Sequence, residues 1–180
     1  KGSVTFGDGG SGIAGTLSSG NSLLGATSGD ALGSGGIFEL SGGRYAVNSP
    51  AWDGPGAVDA GAVSWGSATG ATGVVSVTNS LVGSGAYDRV GSGGLRGVGA
   101  VDNGGLYANA IVLSPYWGSG AAVSTSGKGA VSWIEGSTGH LADGQAGGQV
   151  SAGNSLVGAN SADYVGSFHH SDSRSGFGTN

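Results

Sequence analysis

The same phrase is written three times along this chain. It reads Asn21-Ser22-Leu23-Leu24-Gly25 leading to Asp30, Asn79-Ser80-Leu81-Val82-Gly83 leading to Asp88, and Asn154-Ser155-Leu156-Val157-Gly158 leading to Asp163. From asparagine to aspartate the step is nine residues each time, and Gly33, Gly91 and Gly166 each follow three residues later. A fixed phrase at long intervals is the mark of a copied supersecondary unit. An Asn or Asp side chain can accept backbone N–H bonds in a tight turn. Glycine supplies positive φ where the chain reverses, and Leu or Val between them can enter a core. Asp30, Gly33, Asp88, Gly91, Asp163 and Gly166 are therefore expected to be structural turn residues, one corner per unit.

Between corners the pattern is that of strands. After Gly33 come Ile37-Phe38-Glu39-Leu40, a Ser41-Gly42-Gly43 turn and Arg44-Tyr45-Ala46-Val47, which read as a β-hairpin. Ser49-Pro50-Ala51-Trp52, Gly61-Ala62-Val63-Ser64-Trp65 and Gly73-Val74-Val75-Ser76-Val77 follow. The second copy passes Ser114-Pro115-Tyr116-Trp117 and Gly129-Ala130-Val131-Ser132-Trp133 before Asn154. Its extra residues fall in three turn-like places, around Gly97 to Gly105, Gly118 to Gly127 and Gly139 to Gly148. No stretch carries a helical period. The expected fold is all-β, a repeat architecture of about three four-stranded units, with propeller-like blades preferred and a β-solenoid as the alternative. Blades would pair strands within a unit and a solenoid coil would pair them between units. The expected division is a single repeat domain over 1–180: a half unit 1–29, full units 30–87 and 88–162, and a half unit 163–180. The chain opens on Gly2-Ser3-Val4-Thr5-Phe6, a copy of the GAVSW strand, and closes after another corner, so head and tail halves are complementary. Its first residue is Lys1 rather than Met, as expected of a mature or excised segment.

Composition narrows the classes. The 43 glycines follow no three-residue period, which excludes collagen. A hydrophobic fraction of 37% with recurring aromatic and β-branched positions argues for a folded chain over a Gly/Ser linker. Six Lys and Arg against eleven Asp and Glu leave a net charge of −5, too little basic surface for nucleic acid or an anionic membrane. No apolar run is long enough to span a bilayer as a helix. Without cysteine there are no disulfides or thiolate metal sites. The absence of Cys and Met, with few charges, suits an extracellular or cell-surface protein.

The order Asp30-Ala31-Leu32-Gly33, hairpin, Ser49-Pro50, GAVSW strand resembles the FG-GAP repeat of integrin-like β-propellers; Asp88-Arg89-Val90-Gly91, Asp163-Tyr164-Val165-Gly166 and Leu113-Ser114-Pro115 stand at the same motifs. The wording is also similar to tandem repeats of large secreted bacterial surface proteins of the filamentous-haemagglutinin type. That resemblance implies a propeller-like or solenoid scaffold on a surface fibre.

Nothing in the sequence assembles an active site. His140, His169 and His170 lack the spacing of metal ligands, and the recurring aspartates fall in separate units rather than converging as a catalytic pair. No cofactor is expected, and no enzyme. Trp65 and Trp133, in line with Phe6, are expected in the core. Trp52 and Trp117 follow the Ser-Pro turns, and with Tyr87 and Tyr116 they are the candidate ligand-binding residues, for a glycan. The leading expectation is a non-enzymatic structural or adhesive module that self-associates or packs on neighbouring repeats through complementary half-units.

Overall fold

The computed structural model describes residues 1–122 and 126–167. The chain is all-β. Its strands are β1 (Ser3–Val4), β2 (Leu23–Leu24), β3 (Ile37–Leu40), β4 (Arg44–Ser49), β5 (Ala62–Gly66), β6 (Gly73–Val74), β7 (Ser80–Val82), β8 (Gly94–Val101), β9 (Tyr107–Ser114), β10 (Ala130–Ile134), β11 (Gly148–Gln149) and β12 (Ser155–Val157). Among the described residues they form three open sheets, ordered β1-β2-β6, β11-β7-β5-β4-β3 and β12-β10-β9-β8.

Each unit contributes an antiparallel core of hairpin, GAVSW strand and SLV strand, as in β3-β4-β5-β7 and β8-β9-β10-β12. The remaining short strand leaves its own unit. β6 pairs parallel with β2 of the preceding sheet, and β11 pairs parallel with β7. Strand pairing is thus mostly within a unit, with one strand lent backwards. Three sequence expectations are corrected here. The residues after each corner asparagine are strands, Leu23–Leu24, Ser80–Val82 and Ser155–Val157, and the Gly73–Val77 segment is only two residues of strand because a side-chain turn from Asn79 stops it. The extra residues at Gly97 to Gly105 also do not all form a turn; they lengthen β8 through a bulge between Val98 and Val101. Glycine at 97 is required there because the Tyr107 ring lies against its Cα.

The alternation of strand side chains divides the core. On β4, Val47 joins Leu23, Leu32, Trp52, Ala62, Val75 and Val82 between the first and second sheets. Its neighbour Ala46 joins Val63, Leu81, Val90, Val112, Ala130 and Ile134 between the second and third. The middle sheet is therefore buried on both faces. Each fully buried Leu or Val contributes about 1.5–3 kcal/mol relative to exposure, which is how a chain with so much glycine holds together. Trp65 sits half-buried against the second cluster with its Nε1–H donating to the Gly136 carbonyl at 3.0 Å, whereas Phe6, the corresponding ring at the head, is 36% exposed.

Candidate functional site

The feature that recurs most closely is the junction between units. At its first step, Asn21, Asn79 and Asn154 each fold the chain the same way. The Oδ1 accepts the backbone N–H of Ser18, Ser76 or Ser151 at 2.9, 2.9 and 3.0 Å. The Nδ2 donates to the carbonyl of Thr16, Val74 or Gln149 at 2.9, 2.9 and 3.0 Å. The next residue, Ser22, Ser80 or Ser155, shares a hydroxyl bond of 2.7 Å with Thr5, Ser64 or Ser132 on the GAVSW strand. A hydroxyl pair locks the two strands in register where a mismatch would leave both groups unpaired.

The second step is the aspartate. Asp88 accepts N–H bonds from Ser84 at 2.8 Å and Gly85 at 2.7 Å on one oxygen, and from Gly118, the residue after Trp117, at 2.8 Å on the other. Asp30 does likewise with Thr27 at 2.9 Å and with Asp53, the residue after Trp52, at 3.4 Å. Both carboxylates are buried, at 0% and 2% exposure. Asp163 accepts from Asn160 at 2.8 Å and is exposed. The residue after each aspartate takes positive φ: Ala31 at 42°, Arg89 at 46° and Tyr164 at 46°. Non-glycine residues accept that conformation at a cost, so the surrounding bonds must enforce it.

The third step is a close backbone crossing. Gly2, Gly61 and Gly129 have φ of 74°, 76° and 77°, and a Cβ on any of them would overlap backbone of Leu32, Val90 or Val165. Their carbonyls receive the N–H of Gly25, Gly83 and Gly158 at 3.1, 3.0 and 3.0 Å. Gly33 and Gly91 then donate to Ser49 and Ser114 Oγ at 3.0 and 3.1 Å, so the serine of each Ser-Pro turn ties the corner to its own sheet.

The candidate ligand residues distribute over two different corners. Trp52 is 2% exposed in the core beside Asp30, and no open ring face remains to stack on a sugar. Trp117, Tyr116 and Tyr87 are half-buried at the Asp88 corner, where Trp117 packs on the core and the Arg89 guanidinium lies 5.8 Å from the Tyr87 ring centre. In both repeats the indole N–H is buried without a hydrogen-bond partner, at Trp52 and at Trp117. His140 lies in a turn, its N–H bonded to Thr138 Oγ1 at 3.1 Å; His169 and His170 lie outside the described residues. Among the described residues no three His, Asp or Glu side chains gather where they could hold a metal ion.

A family model described as "Repeat of unknown function (DUF5650)" matches three stretches, residues 1–34, 39–92 and 106–167. The chain belongs to this family. Each DUF5650 match ends at the residue after a corner glycine, Gly33, Gly91 or Gly166, so the family's unit and the junction share one phase. No curated protein matches the chain. What sequence reading missed in the DUF5650 junction is the reach of Asp88 and Asp30 across to the residue after the tryptophan, since no local pattern announces a bond over 30 or 23 positions.

Proposed function

We propose that the chain is a non-enzymatic structural or adhesive module of an extracellular bacterial surface fibre, in which repeats stack sheet upon sheet. The observation that supports this most is the use of the polar side chains. Asp30, Asp88, Asn79, Ser64 and Ser80 are all engaged in building junctions. The resemblance to FG-GAP and filamentous-haemagglutinin-type repeats points the same way, toward a scaffold at the cell surface. A stack of equivalent sheets gains stability from nearest-neighbour interfaces and can be extended by further units.

Sedimentation velocity across a wide concentration range tests the reading. Particles that lengthen as concentration rises support it, and a strictly monomeric species at every concentration sinks it. A glycan-binding role has one observation in its favour, the meeting of Trp117, Tyr116 and Tyr87 at one corner. Binding on a glycan array that disappears in Trp117→Ala would place that reading first.

A further inference from the structure

Two of the sheets receive a strand from the unit that follows. β6 lies on β2 with Leu23 opposite Gly73 and Leu24 opposite Val74, and β11 lies on β7 with Leu81 opposite Gly148 and Val82 opposite Gln149. In both, the next residue locks the pairing: Val75 donates its N–H to Leu24 O at 3.0 Å, and Val150 to Val82 O at 2.9 Å. Their side chains are 3% and 2% exposed. The third sheet has the same acceptor strand, β12, paired on one side to β10, and among the described residues no strand lies on its other side. Leu156 stands where Leu23 and Leu81 stand, yet it is 70% exposed against their 2% and 1%. An unpaired strand edge beside an exposed leucine invites strand addition.

The matching donor is at the other end of the chain. Gly15-Thr16-Leu17 precedes Asn21 as Gly73-Val74-Val75 precedes Asn79 and Gly148-Gln149-Val150 precedes Asn154. Its turn is already formed, with both Asn21 side-chain bonds made as in the other two copies. Among the described residues it pairs with no sheet, and Leu17 is 55% exposed where its counterparts are buried. The socket has a counterpart as well. Leu81 shares a core cluster with Ala130, Val150 and Val157. The equivalents of those three, Ser3, Leu17 and Leu24, line an open groove of about 480 Å³ on the first sheet.

We propose that Gly15–Leu17 of one copy adds as a parallel strand to β12 of a second copy. Leu156 then lies opposite Gly15 and Val157 opposite Thr16, with the Leu17 N–H donating to the Val157 carbonyl. Leu17 fills the place of Val75 and Val150, and Leu156 enters the groove of the incoming copy. The contact is heterologous, head to tail, and does not close on itself in a pair, so it propagates. This inference rests on the stacking reading above and gives it a register.

The absence of cysteine makes the register testable. Chains carrying Thr16→Cys and Val157→Cys, mixed under mild oxidation, should form a mixed crosslinked dimer at least about tenfold more than Ser11→Cys with Val157→Cys, because only the first pair are strand neighbours. Equal yields, or Val157→Cys homodimers in excess of the mixed species, overturn the proposal. Leu17→Asp should leave the thermal midpoint unchanged, since the side chain is exposed in the single chain, and weaken association by about a hundredfold or more. Association undiminished in Leu17→Asp overturns strand donation while leaving the stacking module standing. A parent chain that never associates overturns both.

Discussion

Asp88 is a buried carboxylate held by backbone. Three N–H groups, of Ser84, Gly85 and Gly118, converge on its two oxygens, and hydrogen bonds to a charged acceptor contribute about 1.5–3 kcal/mol each. Asp88→Ala strips all three donors of their acceptor and should cost about 3 kcal/mol or more in denaturant unfolding. Asp163→Ala, at an exposed carboxylate with one such bond from Asn160, should cost less than about 1 kcal/mol. Equal losses would mean that the corner's shape does not depend on its aspartate. The glycines divide in the same way. Gly61 and Gly105 both have positive φ, 76° and 83°. Around Gly105 a Cβ meets open space, whereas at Gly61 it overlaps the Val90 and Arg89 backbone. Gly105→Ala should therefore cost about 1–2 kcal/mol, the conformational penalty alone, and Gly61→Ala more than about 4 kcal/mol. Matching melting curves for the two variants would refute the crossing as a fixed contact. These corner residues were legible from the repeat, because three copies of Asn, Asp and Gly at constant spacing leave few other uses for them.

At the scale of elements, β7 and β12 have the same Ser-Leu-Val sequence and different surroundings. Leu81 is covered by the third sheet and Leu156 by nothing described. Leu81→Ala should lose about 2–5 kcal/mol of stability as a core truncation, and Leu156→Ala within about 0.5 kcal/mol at dilutions where the chain is single. Comparable losses in urea titrations would place Leu156 in a core of its own. The pair also marks the limit of reading strands from sequence. The hairpin Ile37–Leu40 with Arg44–Ser49 was legible, since two apolar runs flank a glycine turn. So were β5 and β10, which are longer and β-branched. Of β6 the sequence showed a strand at Gly73–Val77 but neither its two-residue length nor its partner, and β11 was not legible at all, because two residues carry no period and the partner lies in another unit. Nor was the burial of Trp52 legible: a tryptophan after a Ser-Pro turn reads as a loop residue until the loop is seen folded over the core.

At the scale of the whole molecule the described residues form a stack of three sheets, the middle one flanked by the other two, and its dynamics should follow that order. The middle sheet has both faces covered, so Ala62, Val63 and Ser64 are at most 1% exposed. The first sheet has two-residue strands, and residues 11–20 between β1 and β2 are exposed throughout. In a nearest-neighbour array the ends open at lower free energy than the centre. Amide exchange in dilute solution should thus be slowest in β5, faster in β10, and fastest in β1 and β12. Raising the concentration should act only at the ends. If head and tail join as proposed, the carbonyl of Val157 acquires the Leu17 N–H, so the Leu17 amide slows sharply while β5 stays unchanged, since its bonds to β4 and β7 are already made. Exchange that is uniform along the chain would mean one cooperative unit in place of a stack, and a Leu17 amide that ignores concentration would leave the ends unjoined.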